Sequence, residues 1–186
     1  MRFAKNAKFR SFVVRVDEER LPRCDTEVGI DLGLISFAAF SDGTKVVAPK
    51  FLRLAERRLR RRYQALSRKA RGSANRAKAV AEVARAHARV ADTRRDWQHK
   101  LSTRIIRDNQ AVYVEDLCVA GLGRALRLSK SVHDAGWAQF VRMLEYKAAH
   151  RGRDFGKVGR FEPTTRRCSS CGVVGERQPS CAAPGF

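Results

Sequence analysis

The sequence predicts an α/β fold made of one sheet, a long basic helical hairpin inserted between its strands, and a short cysteine-containing tail. Three observations support this prediction. Short apolar segments rich in β-branched residues flank a long stretch with helical periodicity, that stretch carries most of the positive charge, and a C-x-x-C pair follows near the end. A chain of 186 residues can bury one substantial core with a small appendage.

The first third of the chain is typical of β-strands. Residues 9–16 (FRSFVVRV) are β-branched and aromatic and predict a strand, which an acidic connector follows. Residues 28–34 (VGIDLGL) predict a buried strand that carries one carboxylate, Asp31. Residues 35–40 predict a second strand, and the Asp-Gly pair within residues 41–44 predicts a hairpin turn into a short third strand.

Two long helices are expected next. Apolar residues recur at spacings of three and four along residues 52–66 and again along residues 80–105. Turn-forming residues at positions 71–75 (RGSAN) separate the two stretches. We therefore expect a helical hairpin over about residues 50–107, with a narrow apolar seam, a basic exterior, and His87 packed inside the seam.

The elements after the hairpin return to the sheet. Residues 111–116 (AVYVED) predict a short apolar strand that ends in two acids. Residues 121–134 predict a basic loop, and a helix is expected from about residue 135 to residue 150. Residues 154–161 predict one more strand, although Gly156 and Gly159 within it make the prediction weaker.

The charge distribution predicts a polyanionic partner. The net charge is +20, and residues 50–107 alone contain 19 Lys or Arg against four acids. Arginine dominates there, which favours forked contacts with phosphates. A basic helix on a membrane surface is the alternative, but the segment lacks a broad apolar face to insert. The expected nucleic-acid contacts are Arg57, Arg60, Arg61, Arg68, Lys69 and Arg71.

The cysteines indicate a metal site. Cys168 and Cys171 form half of a tetrahedral zinc site, which normally needs four Cys or His ligands. Only Cys181 follows them, and no histidine lies beyond His150. Five cysteines, an odd number, without a secretory signal argue against a disulfide framework and for a metal site. We expect a cytoplasmic protein. We expect an incomplete zinc ribbon that holds Zn²⁺ weakly, with Cys181 as the candidate third ligand.

Two carboxylates have a context that suggests chemistry. Asp31 lies within an apolar strand, and Glu115 lies at the end of another. Burying a lone acid is costly unless a partner or a metal compensates. Two acids on neighbouring strands can hold Mg²⁺ for phosphodiester cleavage. The alternative is that both acids pair with arginines, and the spacing of the residues leaves both interpretations open.

Several motifs occur together in a specific order. They are GIDLGL at residues 29–34, the basic hairpin, VEDL at residues 114–117, SVHDAGW at residues 131–137, and FEPTTRRCSSCG at residues 161–172. This order resembles the RuvC-like nuclease part of the TnpB family, which comprises transposon-encoded, RNA-guided DNA nucleases related to type V CRISPR effectors. The resemblance runs from about residue 8 to residue 174.

The resemblance implies an RNase H-like (RuvC) fold with a helical insertion and a zinc ribbon. It places the first catalytic aspartate at Asp31, the catalytic glutamate at Glu115, and the first zinc pair at Cys168 and Cys171. It also implies Mg²⁺ as catalytic cofactor, Zn²⁺ as structural cofactor, and DNA and guide RNA as partners.

The resemblance also implies a division of the chain. Residues 1–27 are expected to be the remnant of an N-terminal wedge-type barrel and its connector, and residues 28–160 the nuclease core. Residues 161–186 are expected to be a partial zinc ribbon and an atypical tail, GERQPSCAAPGF, that resembles nothing in the family.

This sequence departs from the family's pattern in several places. The recognition lobe, the second C-x-x-C and the motif with the third catalytic aspartate have no counterpart, and Gly159 stands where relatives often carry an acid. Glu162 and Glu176 are the only acids after residue 160. We therefore expect a truncated, inactive endonuclease fragment. The alternative is a non-catalytic nucleic-acid-binding protein.

Overall fold

The computed structural model describes residues 20–115 and 134–159. This part of the chain contains five strands and three helices, which in chain order are β1 (Glu27–Asp31), β2 (Ser36–Phe40), β3 (Lys45–Val47), α1 (Phe51–Ser67), α2 (Ala74–Asp108), β4 (Ala111–Glu115), α3 (Trp137–Arg151) and β5 (Asp154–Val158). The predicted strand at residues 9–16, nearly all of the basic loop and the cysteine tail lie outside the described residues.

The five strands form one mixed sheet in the order β3-β2-β1-β4-β5. Strand β2 runs antiparallel to both β1 and β3, whereas β1, β4 and β5 are parallel to one another. Gly43, at φ 86°, closes the β2–β3 turn, as the Asp-Gly signal predicted. The α/β class and every strand predicted within the described residues are confirmed, with slightly shorter bounds.

The core lies between one face of the sheet and two helices. The C-terminal half of α2 and all of α3 cover that face, because both helices present apolar residues at helical spacing. Phe37 from β2 makes edge-to-face contacts with Trp97 of α2 and Phe140 of α3, at ring-centroid distances of 4.7 and 5.0 Å. Within the described part of the chain, helices therefore cover one face of the sheet only.

Helices α1 and α2 form the predicted hairpin. Ser73 ends the turn between them, and its Oγ accepts a hydrogen bond from the backbone N–H of Arg76 at 3.1 Å, which caps α2. Leu59 and Val83 are buried in the seam, but Tyr63 and Val80 further along are about half exposed. The hairpin is confirmed, and its seam is narrow because only two helices contribute to it.

The expectation that His87 packs inside the seam was wrong. His87 is exposed, and its Nε2 lies 2.9 Å from the hydroxyl oxygen of Tyr63. The physical reason is that two helices cannot enclose a side chain where no third element covers them. His87 therefore makes a surface contact between the helices.

Candidate metal centre and nucleic-acid interface

Asp31 and Glu115 end two neighbouring parallel strands. The register of β1 and β4 places Ile30 opposite Val114, so Asp31 and Glu115 are the next residue on each strand. Ile30 and Val114 point toward the helices and are buried, whereas both acids are exposed. Since side chains alternate along a strand, the two carboxylates lie on the opposite face, on strands about 4.8 Å apart. The fold therefore places both acids at the carboxyl ends of two neighbouring central strands.

The expectation that Asp31 is a buried carboxylate was wrong. Apolar residues in the segment VGIDLGL alternate with glycine and aspartate, and this period of two was a signal for a strand with one buried face. Ile30 and Leu32 are buried on either side of the exposed Asp31. Desolvation therefore does not require a partner for this acid, and strand register alone places it beside Glu115.

Ion pairing with arginine was the alternative interpretation of the two acids. Within residues 20–115 and 134–159, neither Asp31 nor Glu115 forms an ion pair. The alternative finds no support in this part of the chain.

Among the described residues, the row of the sheet next to the two acids consists of two glycines and one tyrosine. One step back from the acids, Gly29, Tyr113 and Gly156 are in register across β1, β4 and β5. A Cβ placed on Gly156 would lie 2.7 Å from Cδ1 of Tyr113, so the tyrosine ring covers that glycine. Ser41 Oγ accepts a hydrogen bond from the Gly29 N–H at 3.0 Å. Tyr113 is therefore the one large side chain in this row.

The acidic pair fits part of a magnesium site. Mg²⁺ prefers oxygen ligands and usually keeps several waters while binding one or two carboxylates and substrate phosphates. The described residues contain no group of three or more His, Cys, Asp or Glu side chains able to hold a metal. In this part of the chain, Asp31 and Glu115 can thus supply two ligands to such an ion.

Cys168, Cys171 and Cys181 lie outside the described residues. Their role as zinc ligands stays a prediction.

The six basic residues expected to contact nucleic acid are all exposed, but they do not share one face. Arg57 and Arg61 border the same shallow depression on α1. Arg60 is displaced from Arg61 by about 100° around the helix. Arg68, Lys69 and Arg71 lie at the turn between the two helices. The prediction of an exposed basic hairpin is confirmed, while the contacts themselves stay a prediction.

An arginine-lined groove between α1 and α2 was not predicted from the sequence. Its volume is about 440 Å³. Four arginines line it: Arg58, Arg62, Arg85 and Arg89. The missed signal was the spacing of four within each helix, which places both arginines of a pair on one face.

A junction of polar groups fixes the hairpin to the rest of the fold. Both carboxylate oxygens of Asp134 lie 3.0 Å from the backbone nitrogen of Leu52, in the first turn of α1. Arg94 of α2 approaches the same carboxylate at 3.7 Å and donates to the Asp134 carbonyl at 3.3 Å. Gly136, with φ 65°, lies two residues after Asp134, and a Cβ there would lie 3.2 Å from Arg94 Nε. This junction joins all three helices.

A second polar contact joins α2 to α3. Lys147 Nζ donates hydrogen bonds to the His99 carbonyl, Ser102 Oγ and Thr103 Oγ1 at 2.7–2.8 Å. Partial burial lowers the pKa of Lys147. Burial, and then the nearby charges of Lys147 and Arg95, lower the pKa of His99. A proton on His99 is therefore disfavoured in the folded protein.

Comparison with protein families gives two matches that divide the chain between them. Residues 11–126 match the family OrfB_IS605, described as "Probable transposase", and residues 137–186 match the Cas12f1-like TNB domain.

Two curated relatives carry names that agree with the first match. The chain is 44% identical over 158 residues to a "Putative RNA-guided DNA endonuclease" of Streptomyces pristinaespiralis, and 33% identical over 162 residues to "Putative RNA-guided DNA endonuclease InsQ" of Escherichia coli (strain K12). These alignments cover 85% and 78% of this chain but 39% and 40% of the relatives. The chain thus spans about two-fifths of the length of these relatives.

A solved structure shares the fold. The protein in the cryo-EM structure of a Cas12f1–sgRNA–target DNA complex matches with a TM-score of 0.52 and 17% sequence identity, over 88% of this chain and 34% of that one. The resemblance inferred from the ordered motifs is confirmed by these comparisons.

In the described part of the chain, no helix is long and apolar enough to span a membrane.

Proposed function

The chain belongs to the OrfB_IS605 family of probable transposases, and on this premise we propose that it supplies the nuclease part of an RNA-guided DNA endonuclease. The names of the curated relatives and the motif order support the proposal. Since the chain spans about two-fifths of those relatives, the activity, the substrates and the partners all belong to the proposal.

We propose that the fold is RNase H-like, of the RuvC type. The sheet order is β3-β2-β1-β4-β5, and β2 alone runs in the direction opposite to the other four strands; both features support this assignment. The nuclease core would comprise residues 28–160, with the hairpin at about residues 50–107 as an insertion between β3 and β4. Residues 161–186 would form the zinc-ribbon tail, and residues 1–27 the end of a preceding barrel.

The observation that carries the proposal is the placement of Asp31 and Glu115. They end adjacent parallel strands on one exposed sheet face, so their carboxylates can bind the same cation. Bound Mg²⁺ would supply charge stabilisation and an activated water for phosphodiester hydrolysis. The two carboxylates would bind and orient the ion.

The basic hairpin would bind DNA and guide RNA through phosphate contacts. Its charge excess and its exposed arginines support this role. Cys168 and Cys171, with Cys181 as the candidate third ligand, would hold a structural Zn²⁺. A cytoplasmic location belongs to the same proposal.

Iron-directed backbone cleavage tests the metal centre without requiring nuclease activity. Fe²⁺ bound in place of Mg²⁺ generates radicals in the presence of ascorbate and peroxide, and these cut the polypeptide near the ion. We expect cuts near residues 31 and 115 that excess Mg²⁺ suppresses. Asp31→Asn and Glu115→Gln should each abolish both cuts, whereas Glu27→Gln, at the opposite end of β1, should leave them unchanged. Cuts that persist in both site variants would refute the shared cation.

The second candidate function is nucleic-acid binding without catalysis. It is favoured by the presence of only two clustered carboxylates at the sheet edge within the described residues. Incubating this 186-residue chain with guide RNA, duplex DNA and Mg²⁺ separates the two functions. Cleavage that Asp31→Ala abolishes would establish the enzyme. Retained DNA and RNA binding without cleavage would establish the binding protein.

A further inference from the structure

The arginine-lined groove between α1 and α2 has an apolar floor. Phe51, Leu54, Leu59 and Val90 are its apolar lining residues. Arg58 and Arg62 line it from α1, and Arg85 and Arg89 line it from α2. Glu82 is the one acid among the lining residues, and it accepts a hydrogen bond from Arg62. The groove therefore combines a strong positive charge with an apolar surface.

The groove continues onto the outer side of α1. A shallower depression there is lined by Leu54, Ala65 and four arginines, Arg57, Arg58, Arg61 and Arg62. The two concavities share Leu54, whose exposed fraction is 79%. We call the combined region the Leu54 surface. Among the described residues, six arginines and one acid border it, and no lysine does.

This composition exceeds what phosphate binding alone requires. A duplex offers phosphates and sugars to a helix surface and keeps its base faces stacked, so an apolar floor gains little from it. A single strand also exposes the faces of its bases, which pack on apolar and planar side chains. Guanidinium groups both pair with phosphates and stack on bases, whereas ammonium groups act as point charges.

We propose that the Leu54 surface binds single-stranded nucleic acid in preference to duplex, with bases on Leu54 and phosphates on the surrounding arginines. The inference rests on the nucleic-acid binding in the proposed function and adds the form of nucleic acid that this surface takes. The cluster at the hairpin turn, Arg68, Lys69 and Arg71, would contact phosphates of either form.

Fluorescence anisotropy tests the preference with two probes, an unstructured oligothymidylate and a DNA duplex of the same length. Leu54→Ser removes the apolar contact without changing the charge. We expect it to weaken oligothymidylate binding by roughly fivefold or more, with duplex binding and the salt dependence unchanged. Circular dichroism checks that the variant keeps its helix content.

A matched pair of charge variants completes the test. Arg58→Ala with Arg89→Ala removes two charges from the Leu54 surface, and Arg68→Ala with Arg71→Ala removes two from the turn. We expect the first pair to weaken oligothymidylate binding more than duplex binding, and the second pair to weaken both probes equally.

The possible failures are distinguishable. An equal effect of Leu54→Ser on both probes, or none on either, would overturn the preference and leave the proposed function intact. Absence of binding to both probes by the unmodified chain would remove the inference together with the nucleic-acid part of the proposed function.

Discussion

Replacing Asp134 with alanine removes the side chain that joins the start of α1 to α2 and α3. Lys50, which precedes α1, makes no capping hydrogen bond with its side chain. Asp134 accepts the Leu52 N–H instead, at 3.0 Å from both carboxylate oxygens. Its side chain is only 9% exposed and lies 3.7 Å from the Arg94 guanidinium. The carboxylate therefore acts as a helix cap supplied by a residue far along the chain.

The loss in free energy of unfolding that we expect for Asp134→Ala follows from these contacts. Removing a helix cap costs about 1 kcal/mol. Loss of an exposed ion pair adds about 0–1 kcal/mol to the destabilisation. The Arg94–Asp134 pair is mostly buried, so we take the upper part of that range. We expect Asp134→Ala to lower the free energy of unfolding by about 2 kcal/mol. Asp134→Asn keeps an acceptor for Leu52 and should lose about half of that.

Urea unfolding followed by circular dichroism measures the loss, and hydrogen exchange locates it. The backbone amide of Leu52 should exchange faster in Asp134→Ala, while amides in the middle of α2 keep their protection. Asp92→Ala is the matched control, because Asp92 is an exposed acid paired with Arg95 within α2. A loss in Asp134→Ala no larger than in Asp92→Ala, or unchanged exchange at Leu52, would refute the capping role.

Three further predictions concern the sheet, the α2–α3 contact and the hairpin. Gly156→Ala should lower the free energy of unfolding by about 1–3 kcal/mol, because its Cβ would meet the Tyr113 ring. Burial, and then the charges of Lys147 and Arg95, hold the pKa of His99 below its usual value in the folded protein. The contribution of His99 to stability is therefore fully present above the usual pKa of histidine and is lost as pH falls through the lowered pKa. The melting temperature should therefore drop from about pH 7 to about pH 5, and less so in His99→Gln. Nucleic-acid affinity of the hairpin should fall steeply as salt rises, because phosphate contacts release counterions.

Each of these predictions has a control. The penalty of Gly156→Ala should shrink in a Tyr113→Ala background, and an undiminished penalty would show that the ring is not its cause. His87→Gln should keep the acid sensitivity of the unmodified chain; loss of that sensitivity would move its origin away from His99. Affinity that stays flat between low and moderate salt would contradict phosphate binding by the hairpin.

The secondary structure was predictable because its periodicities are strong and local. Alternation in VGIDLGL and the spacing of apolar residues in both hairpin helices are present in the sequence itself. The position of Asp31 and Glu115 at the ends of neighbouring strands agrees with the prediction. The exposure of Asp31 was missed because the segment was interpreted as a buried strand. The alternation of apolar residues with Gly29 and Gly33 would have corrected that interpretation.

The Asp134 junction was not predictable from the sequence. Arg94 interrupts an apolar stripe on α2, and its partner lies 40 residues later in the chain. Asp134 itself falls at the end of a segment expected to be a basic loop, whereas its carboxylate caps a helix 82 residues earlier. Contacts of this range depend on how the helices cross, which no local pattern encodes.

Helix α2 connects the two candidate functional regions. Its N-terminal half carries Arg85 and Arg89 of the Leu54 surface, and its C-terminal half packs Leu101 and Ile105 into the core under the sheet. At about 1.5 Å per residue, its 35 residues span about 52 Å. Strand β4, which ends in Glu115, begins three residues after this helix. A nucleic-acid strand held on the hairpin would therefore be positioned relative to the acidic pair by one continuous helix. The Asp134 junction joins the start of α1 to this helix. Asp134→Ala should thus change where hairpin-bound nucleic acid lies without changing the metal-dependent cuts near residues 31 and 115.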